Sequence, residues 1–171
     1  MLASARRVPA AAGMHLAAGP SMQRVEKSIR VRAPASQVYQ FWRNFENFPR
    51  FMEHVENVRL LDPDGRRSHW KIHGPLGKSV EYDADLTQDE PNRAIGWNSS
   101  GGQIETTGNV TFSEQDDNTL VHVIMQWASP PGGPVGEAAS RILQDPDKML
   151  ESDLQRFKDL AEGRIGSGMR R

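Results

Sequence analysis

Five histidines are the first residues in this chain that could bind a metal ion or move a proton. His69 and His73 lie four residues apart on one face of a predicted strand. Four residues of strand span roughly 13 Å, which is too far for two imidazoles to ligate the same ion. The chain contains no cysteine, so thiolate ligands and disulfides are excluded. We expect both histidines to face solvent, and we expect neither a metal site nor a cofactor.

Glu81, Asp83 and Asp85 could provide paired carboxylates for acid–base catalysis. They alternate with apolar residues along the segment 79–87, which is typical of the solvated face of a half-buried strand. Tyr82 belongs to the apolar, inward-facing set and carries a hydroxyl, so it is the candidate for proton transfer if the protein is an enzyme. The chain has no Gly-x-Ser-x-Gly nucleophile motif and no Walker-type phosphate loop.

Alternating segments predict the sheet that would position these residues. The segment 24–32 alternates as a half-buried strand, and six further segments alternate after residue 55, with short turns between them. Strands at hairpin spacing imply an antiparallel sheet. We expect the Ser- and Gly-rich residues 99–102 to form a flexible loop between two of these strands.

A first helix is predicted between the first two strands. Its apolar residues Val38, Phe41, Trp42 and Phe45 fall at the i, i+3, i+4, i+7 spacing of one helix face. Proline at position 49 prevents the helix from continuing, so a second short helix or turn is expected at 47–52.

The last predicted element is a long helix near the C-terminus. Asp145 followed by Pro146 is typical of a helix start, and a Gly/Pro-rich connector at 130–136 and a helical segment at 137–144 are expected before it. The helix places one apolar stripe at i, i+4, i+7 and i+11, which can be buried only on the sheet. The stripe consists of Leu150, Leu154, Phe157 and Ala161.

The chain length fits one domain, which we place at 23–163 between disordered tails at 1–22 and 164–171. The N-terminal tail lacks acids and carries arginines, as a mitochondrial transit peptide would, but we favour a disordered tail without function that follows from an upstream start codon, with Met22 as the natural start. The two tails hold five of the 21 basic residues, so the domain has 16 against 22 acidic residues. Such an acidic body does not suit a nucleic-acid partner. No apolar run is long enough for a membrane span, and we expect a cytoplasmic protein.

Aromatic side chains on the inward faces of several elements are the remaining signal. They could form an ordinary core, or a core plus a cavity. A curved sheet wrapped on one helix leaves a space that bulky amphipathic side chains line well, so we favour the cavity. The predicted lining residues are Phe51, Trp70, Tyr82, Trp97, Met125, Trp127, Leu154 and Phe157.

Six short motifs, in order over residues 24–162, resemble the START-like helix-grip (SRPBCC) superfamily, and within it the polyketide cyclase/dehydrase and coenzyme Q-binding branch. The resemblance implies an α+β helix-grip fold (β-α-α-β6-α), in which a seven-stranded curved antiparallel sheet wraps around a long C-terminal helix. It also implies a hydrophobic tunnel for lipids, quinones or polyketides. The motifs are Ile29-Arg30-Val31-Arg32-Ala33-Pro34, Val38-Tyr39-x-Phe41-Trp42-x-Asn44, Phe48-Pro49-x-Phe51-Met52, Trp70-x-x-x-Gly74-Pro75-x-Gly77, Pro91-Asn92-x-x-Ile95-x-Trp97 and Asp153-Leu154-x-x-Phe157-Lys158.

Three functions remain open at this point. The leading hypothesis is a cofactor-free carrier or sensor whose partner is a hydrophobic small molecule, so we expect binding rather than catalysis. The first alternative is a cyclase/dehydrase-type enzyme in which Tyr82 assists proton transfer, although no catalytic set of the cyclases can be matched onto this chain. The second alternative is a toxin-like or chaperone-like interaction module, which would expose an apolar patch. The oligomeric state and the ligand are left undetermined.

Overall fold

The computed structural model of the protein describes residues 23–73, 79–102, 104–128 and 145–163. The two predicted tails, the connector at 130–136 and the helical segment at 137–144 lie outside the described residues.

Seven strands in the described part of the chain form one curved antiparallel sheet, with the order β1-β7-β6-β5-β4-β3-β2. Consecutive strands from β2 to β7 are neighbours, and β1 closes the order beside β7. This arrangement and the C-terminal helix confirm the predicted helix-grip fold. The strands are β1 (Gln23–Val31), β2 (Val55–Leu60), β3 (Arg67–His73), β4 (Ser79–Glu90), β5 (Ala94–Gly102), β6 (Glu105–Gln115) and β7 (Asn118–Ala128).

Residues 99–102 belong to strand β5 and do not form the predicted loop. Gly101 pairs with Asp83 and Gly102 with Tyr82, next to an irregularity in the β4–β5 register. Gly102 has a φ of +126°, and a Cβ there would lie 2.4 Å from the Cα of Tyr82. Glycine therefore lets β5 approach β4 closely at this point, where any larger residue would break the pairing.

The first helix, α1 (Ala35–Arg43), buries Val38, Phe41 and Trp42, as its spacing predicts. A 3-10 helix (Phe45–Arg50) follows directly and contains Pro49. Asn44 separates the two with an extended backbone, and its side chain accepts a hydrogen bond from the Glu46 backbone N–H. The break therefore falls five residues before the proline, at a residue whose side chain can cap the next helix.

The C-terminal helix, α2 (Pro146–Ala161), begins at the predicted cap, where the Asp145 side chain accepts from the Lys148 backbone N–H at 3.2 Å. The predicted stripe of Leu150, Leu154, Phe157 and Ala161 is buried. Polar contacts attach the end of the helix to β1: Lys158 donates to the Arg30 carbonyl at 2.8 Å, and the Glu162 carboxylate accepts from the Arg32 backbone N–H at 2.9 Å.

Aromatic rings from α1, the 3-10 helix and its C-cap, β3 and α2 form one packed cluster, which we call the ring cluster: Phe41, Trp42, Phe45, Phe48, Phe51, Trp70 and Phe157. Centroid separations run from 5.1 Å for Phe48 and Trp70 to 5.9 Å for Phe41 and Phe51, within the range of favourable ring pairs. The ring cluster fills one end of the space between the sheet and α2.

We predict that Gly108→Ala destabilises the protein by about 1–3 kcal/mol, because the pocket for the neighbouring indole cannot also hold a methyl group. Gly108 pairs with Trp97 across β5 and β6, and a Cβ at this position would lie 2.2 Å from a ring carbon of Trp97. Gly101→Ala is the matched control, since a Cβ there meets nothing within 4 Å. Urea unfolding of both variants tests the prediction, and equal free energies of unfolding would contradict it.

Candidate ligand-binding cavity

A cavity of about 120 Å³ lies between the sheet and α2, at the end that the ring cluster leaves open. Six strands contribute to its wall, together with the segment between the 3-10 helix and β2, Ile104 between β5 and β6, and residues 146–153 of α2. The wall is predominantly apolar. The described lining residues are Val25, Met52, His54, Val55, Ile72, Tyr82, Ile104, Thr106, Met125, Trp127, Pro146, Met149, Leu150 and Asp153.

Burial of the lining residues separates an inner wall from a mouth. Tyr82, Thr106, Trp127 and Leu150 are buried, whereas Met149 in the second turn of α2 is partly exposed. Other lining residues are also partly exposed, among them Pro146 at the start of α2, so the cavity reaches the surface there. They are His54, Val55, Ile72, Met125 and Pro146.

Three of the eight residues predicted to line a pocket, Tyr82, Met125 and Trp127, are on the wall of this cavity. The structure places the other five in the packed core instead. Trp70 and Trp97 still face the concave side of the sheet, as the alternation in their strands indicates. A ring of the 3-10 helix covers the two indoles of this set: Phe45 lies 6.2 Å from Trp97 and 5.8 Å from Trp70, between centroids. The five are Phe51, Trp70, Trp97, Leu154 and Phe157. Ligand contact with any of the eight stays a prediction.

Tyr82 presents a nearly buried phenol to the cavity, with 7% of the residue exposed. Its ring stacks on Trp70 at 6.0 Å with an interplanar angle of 7°, which fixes the side chain. The described residues provide no hydrogen-bond partner for its hydroxyl, and burial alone raises its pKa well above the ordinary value. The phenol is therefore neutral at physiological pH and available to donate a hydrogen bond into the cavity.

Asp153 is a second polar group on the wall, and it is not among the predicted lining residues. Its Oδ1 accepts from Arg156 at 2.6 Å and from the Glu53 backbone N–H at 3.2 Å. Burial raises the pKa of Asp153, while these hydrogen bonds and the Arg156 charge act in the opposite direction. A usable signal was present, because Asp153 lies three residues after Leu150 and four before Phe157, on the apolar face of α2.

The remaining polar side chains at the wall are Thr106 and His54. The Thr106 hydroxyl donates to the Gln126 carbonyl at 3.1 Å, so it is already occupied. His54 is half-buried near the mouth. The groups that could interact with a ligand through protons are therefore Tyr82, Asp153 and His54.

His69 lies on the opposite, outer face of the sheet, away from the cavity. Its imidazole bridges Asp83 at 2.6 Å and Glu81 at 2.7 Å, and its side chain is 24% exposed. His69 was predicted to face solvent, but its side chain is partly covered because these two carboxylates of β4 flank the imidazole. Hydrogen bonds to Asp83 and Glu81 raise the pKa of His69. His73 is exposed, with its Nδ1 3.5 Å from a Glu56 oxygen.

No group of three or more His, Asp or Glu side chains within the described ranges is arranged to hold a metal ion. No described helix combines the length and the apolarity needed to cross a membrane.

Comparison with known families agrees with this geometry. A sequence model of the family described as polyketide cyclase / dehydrase and lipid transport matches residues 31–150. The chain belongs to this family. The resemblance to the START-like superfamily is thereby confirmed.

Relatives cover nearly the whole domain. An uncharacterized 17.2 kDa protein of Streptomyces lincolnensis, from the melC2-rnhH intergenic region, is 34% identical over 143 residues, which are 84% of this chain and 92% of that protein. A solved structure from Deinococcus radiodurans is 33% identical with a TM-score of 0.66, covering 82% of this chain and 98% of the other. An aromatase/cyclase from a Streptomyces species shares the fold at 16% identity and a TM-score of 0.66, covering 86% and 98%.

We predict that His69→Gln destabilises the protein more at pH 5.5 than at pH 9. The folded protein raises the pKa of His69, so the stabilisation is fully present below the unfolded pKa near 6.5 and is lost as pH rises through the folded value. For a partly exposed pair the difference should be at most about 1 kcal/mol. Urea unfolding at both pH values measures it.

His73→Gln is the matched control for this prediction. Its imidazole is more exposed, at 56%, and has one distant carboxylate in place of two close ones. A pH-dependent difference in the control as large as that of His69→Gln would contradict a specific role for the His69 bridge.

Proposed function

We propose that this protein binds a small, predominantly apolar molecule in the cavity between the sheet and α2, as a carrier or sensor. The observation that carries the proposal is an apolar-lined space beside a densely packed ring cluster. Protein interiors are close-packed, and an unfilled apolar cavity lowers stability in proportion to its volume. A retained cavity with fixed walls is therefore the expected form of a binding site.

The cavity volume limits the ligand. An engineered apolar cavity of roughly 150 Å³ accommodates benzene, so about 120 Å³ suits one ring or a short alkyl chain. Long lipids, isoprenoid quinones and multi-ring polyketides exceed this volume. They could enter only with part of the molecule outside the mouth, or after α2 has moved away from the sheet.

Filling the cavity tests the proposal. Met125 lines the cavity on β7, and Ile124 beside it points to the other face of the sheet. We predict that Met125→Trp weakens binding of fluorobenzene at least about tenfold, because the larger side chain occupies the ligand's space. Line broadening in fluorine NMR measures the affinity.

Ile124→Trp is the matched control and should bind fluorobenzene as the unchanged protein does. Absence of binding to the unchanged protein, or equal loss in both variants, would overturn the proposal. Circular dichroism of both variants confirms that the fold is retained.

An enzyme of the cyclase/dehydrase type is the second candidate. Tyr82, His54 and Asp153 all line one cavity, and proton transfer to a keto group requires such convergent groups. The family description and the aromatase/cyclase fold neighbour support this candidate. The small volume opposes it, because a polyketone chain long enough to form several rings does not fit.

Steady-state kinetics with a one-ring aryl β-diketone tests the enzyme candidate. If Tyr82 transfers the proton, Tyr82→Phe should lower kcat by about 10²–10⁴-fold with little change in KM. Tyr39→Phe is the control, since Tyr39 donates to Asp89 outside the cavity. No turnover by the unchanged protein would remove this candidate.

The described surface gives no support to the interaction-module alternative. Leu61, 39% exposed, is the exposed large hydrophobic residue within the described ranges. A single apolar side chain does not form a docking patch.

A further inference from the structure

Asp153 is an ionisable side chain in the wall of an apolar cavity, and its two oxygens have different surroundings. The residue is 7% exposed. Oδ1 receives both hydrogen bonds, from Arg156 and from the Glu53 backbone N–H. The described residues give Oδ2 no hydrogen bond. Oδ2 is not among the fully buried polar atoms that lack a partner, so it is accessible from the cavity and can accept a hydrogen bond there.

A purely structural role does not account for this arrangement. Oδ1 alone attaches α2 to the segment after the 3-10 helix, because it bonds the Glu53 N–H while Arg156 donates to the Phe51 carbonyl at 3.0 Å. An asparagine side-chain oxygen could accept the same two bonds without placing a charge beside the cavity. The second oxygen is therefore in excess of what the attachment needs.

The orientation of the ion pair decides which charge a ligand meets. Asp153 lines the cavity, whereas Arg156 is absent from the described lining and its Nε is bonded to the Phe51 carbonyl. The guanidinium thus stabilises the carboxylate from outside the cavity. A ligand encounters an acceptor with negative charge, which attracts hydrogen-bond donors and repels anions.

We propose that Asp153 is a specificity-determining residue, which accepts a hydrogen bond from a hydroxyl of a neutral one-ring ligand and excludes carboxylates such as fatty acids. This inference rests on the proposed function, since it assumes that the cavity binds a small apolar molecule. The ligand class is then phenol-like: a ring for the apolar wall and a hydroxyl for Oδ2. The Tyr82 hydroxyl supplies a second polar contact, with a different part of the ligand.

Competition against fluorobenzene in fluorine NMR tests the inference without any variant. Phenol and benzene differ by one hydroxyl, and benzoate carries an anion on the same ring. Phenol should displace fluorobenzene at least about tenfold more effectively than benzene, because a hydrogen bond to a charged acceptor is stronger than a neutral one. Benzoate should displace it at least about tenfold less effectively than phenol.

Asp153→Asn adds the test by substitution. We predict that this variant keeps its affinity for benzene, loses most of the preference for phenol, and discriminates against benzoate about tenfold less. Asp147→Asn is the matched control, because Asp147 is an exposed acid on the same helix and its substitution changes the net charge equally. The control should leave all three affinities unchanged.

The outcomes separate this inference from the proposed function. Suppose that the unchanged protein binds fluorobenzene and that phenol, benzene and benzoate displace it equally well. This result would overturn the role of Asp153 and leave the cavity as a binding site. A preference for phenol that survives Asp153→Asn would also overturn it. Failure of fluorobenzene and of all three competitors to bind would overturn the proposed function itself. If Asp153→Asn does not fold, Tyr82→Phe decides the question, because loss of the preference for phenol in that variant would assign it to Tyr82 and overturn the role of Asp153.

Discussion

Packing of aromatic rings from α1 and the 3-10 helix against α2 is the interaction on which the rest of the structure depends. Phe51 is central to it, with centroids 5.2 Å from Trp42, 5.2 Å from Phe48 and 5.4 Å from Phe157. The importance of packing here is visible at Trp42, whose fully buried indole N–H has no acceptor among the described residues. An unsatisfied buried donor costs about 1–3 kcal/mol, which the surrounding ring contacts must exceed. Because the rings fill one end of the concave space, the unfilled volume lies at the other end.

A polar connection holds the boundary between the ring cluster and the cavity. Arg156 donates to the Phe51 carbonyl, and Asp153 accepts from the Glu53 N–H, so α2 is bonded on both sides of Met52. Met52 itself lines the cavity. The wall at this point is therefore fixed before any ligand arrives, and binding there does not have to order the backbone. The charged side chains of Arg156 and Asp153 thus position the apolar Met52 in the cavity wall.

Sequence periodicity predicted the fold and the facing of the side chains, but not their depth along the concave surface. Alternation in β3 and β5 correctly turns Trp70 and Trp97 inward. Whether such a residue meets a cavity or a neighbour depends on where the 3-10 helix lies, and Phe45 reaches both indoles. That placement is tertiary and leaves no periodic signal in the strands. Asp153 was missed for a different reason: the sequence does carry a signal for it, a carboxylate on the apolar face of α2, but only the fold shows that this position lines a cavity.

Strand β4 contributes to a charged outer surface with one face and to the cavity wall with the other. Asp83 and Glu81 hold His69 on the outer face, while Tyr82 between them points to the cavity. Successive side chains of a strand occupy opposite environments, so residues on either face can change independently. Each contributing element provides only one or a few residues of the cavity wall. The stack of Tyr82 on Trp70 connects this wall to the ring cluster. One fold can therefore carry differently composed cavity walls, because most residues of the wall lie outside the ring cluster that packs the core.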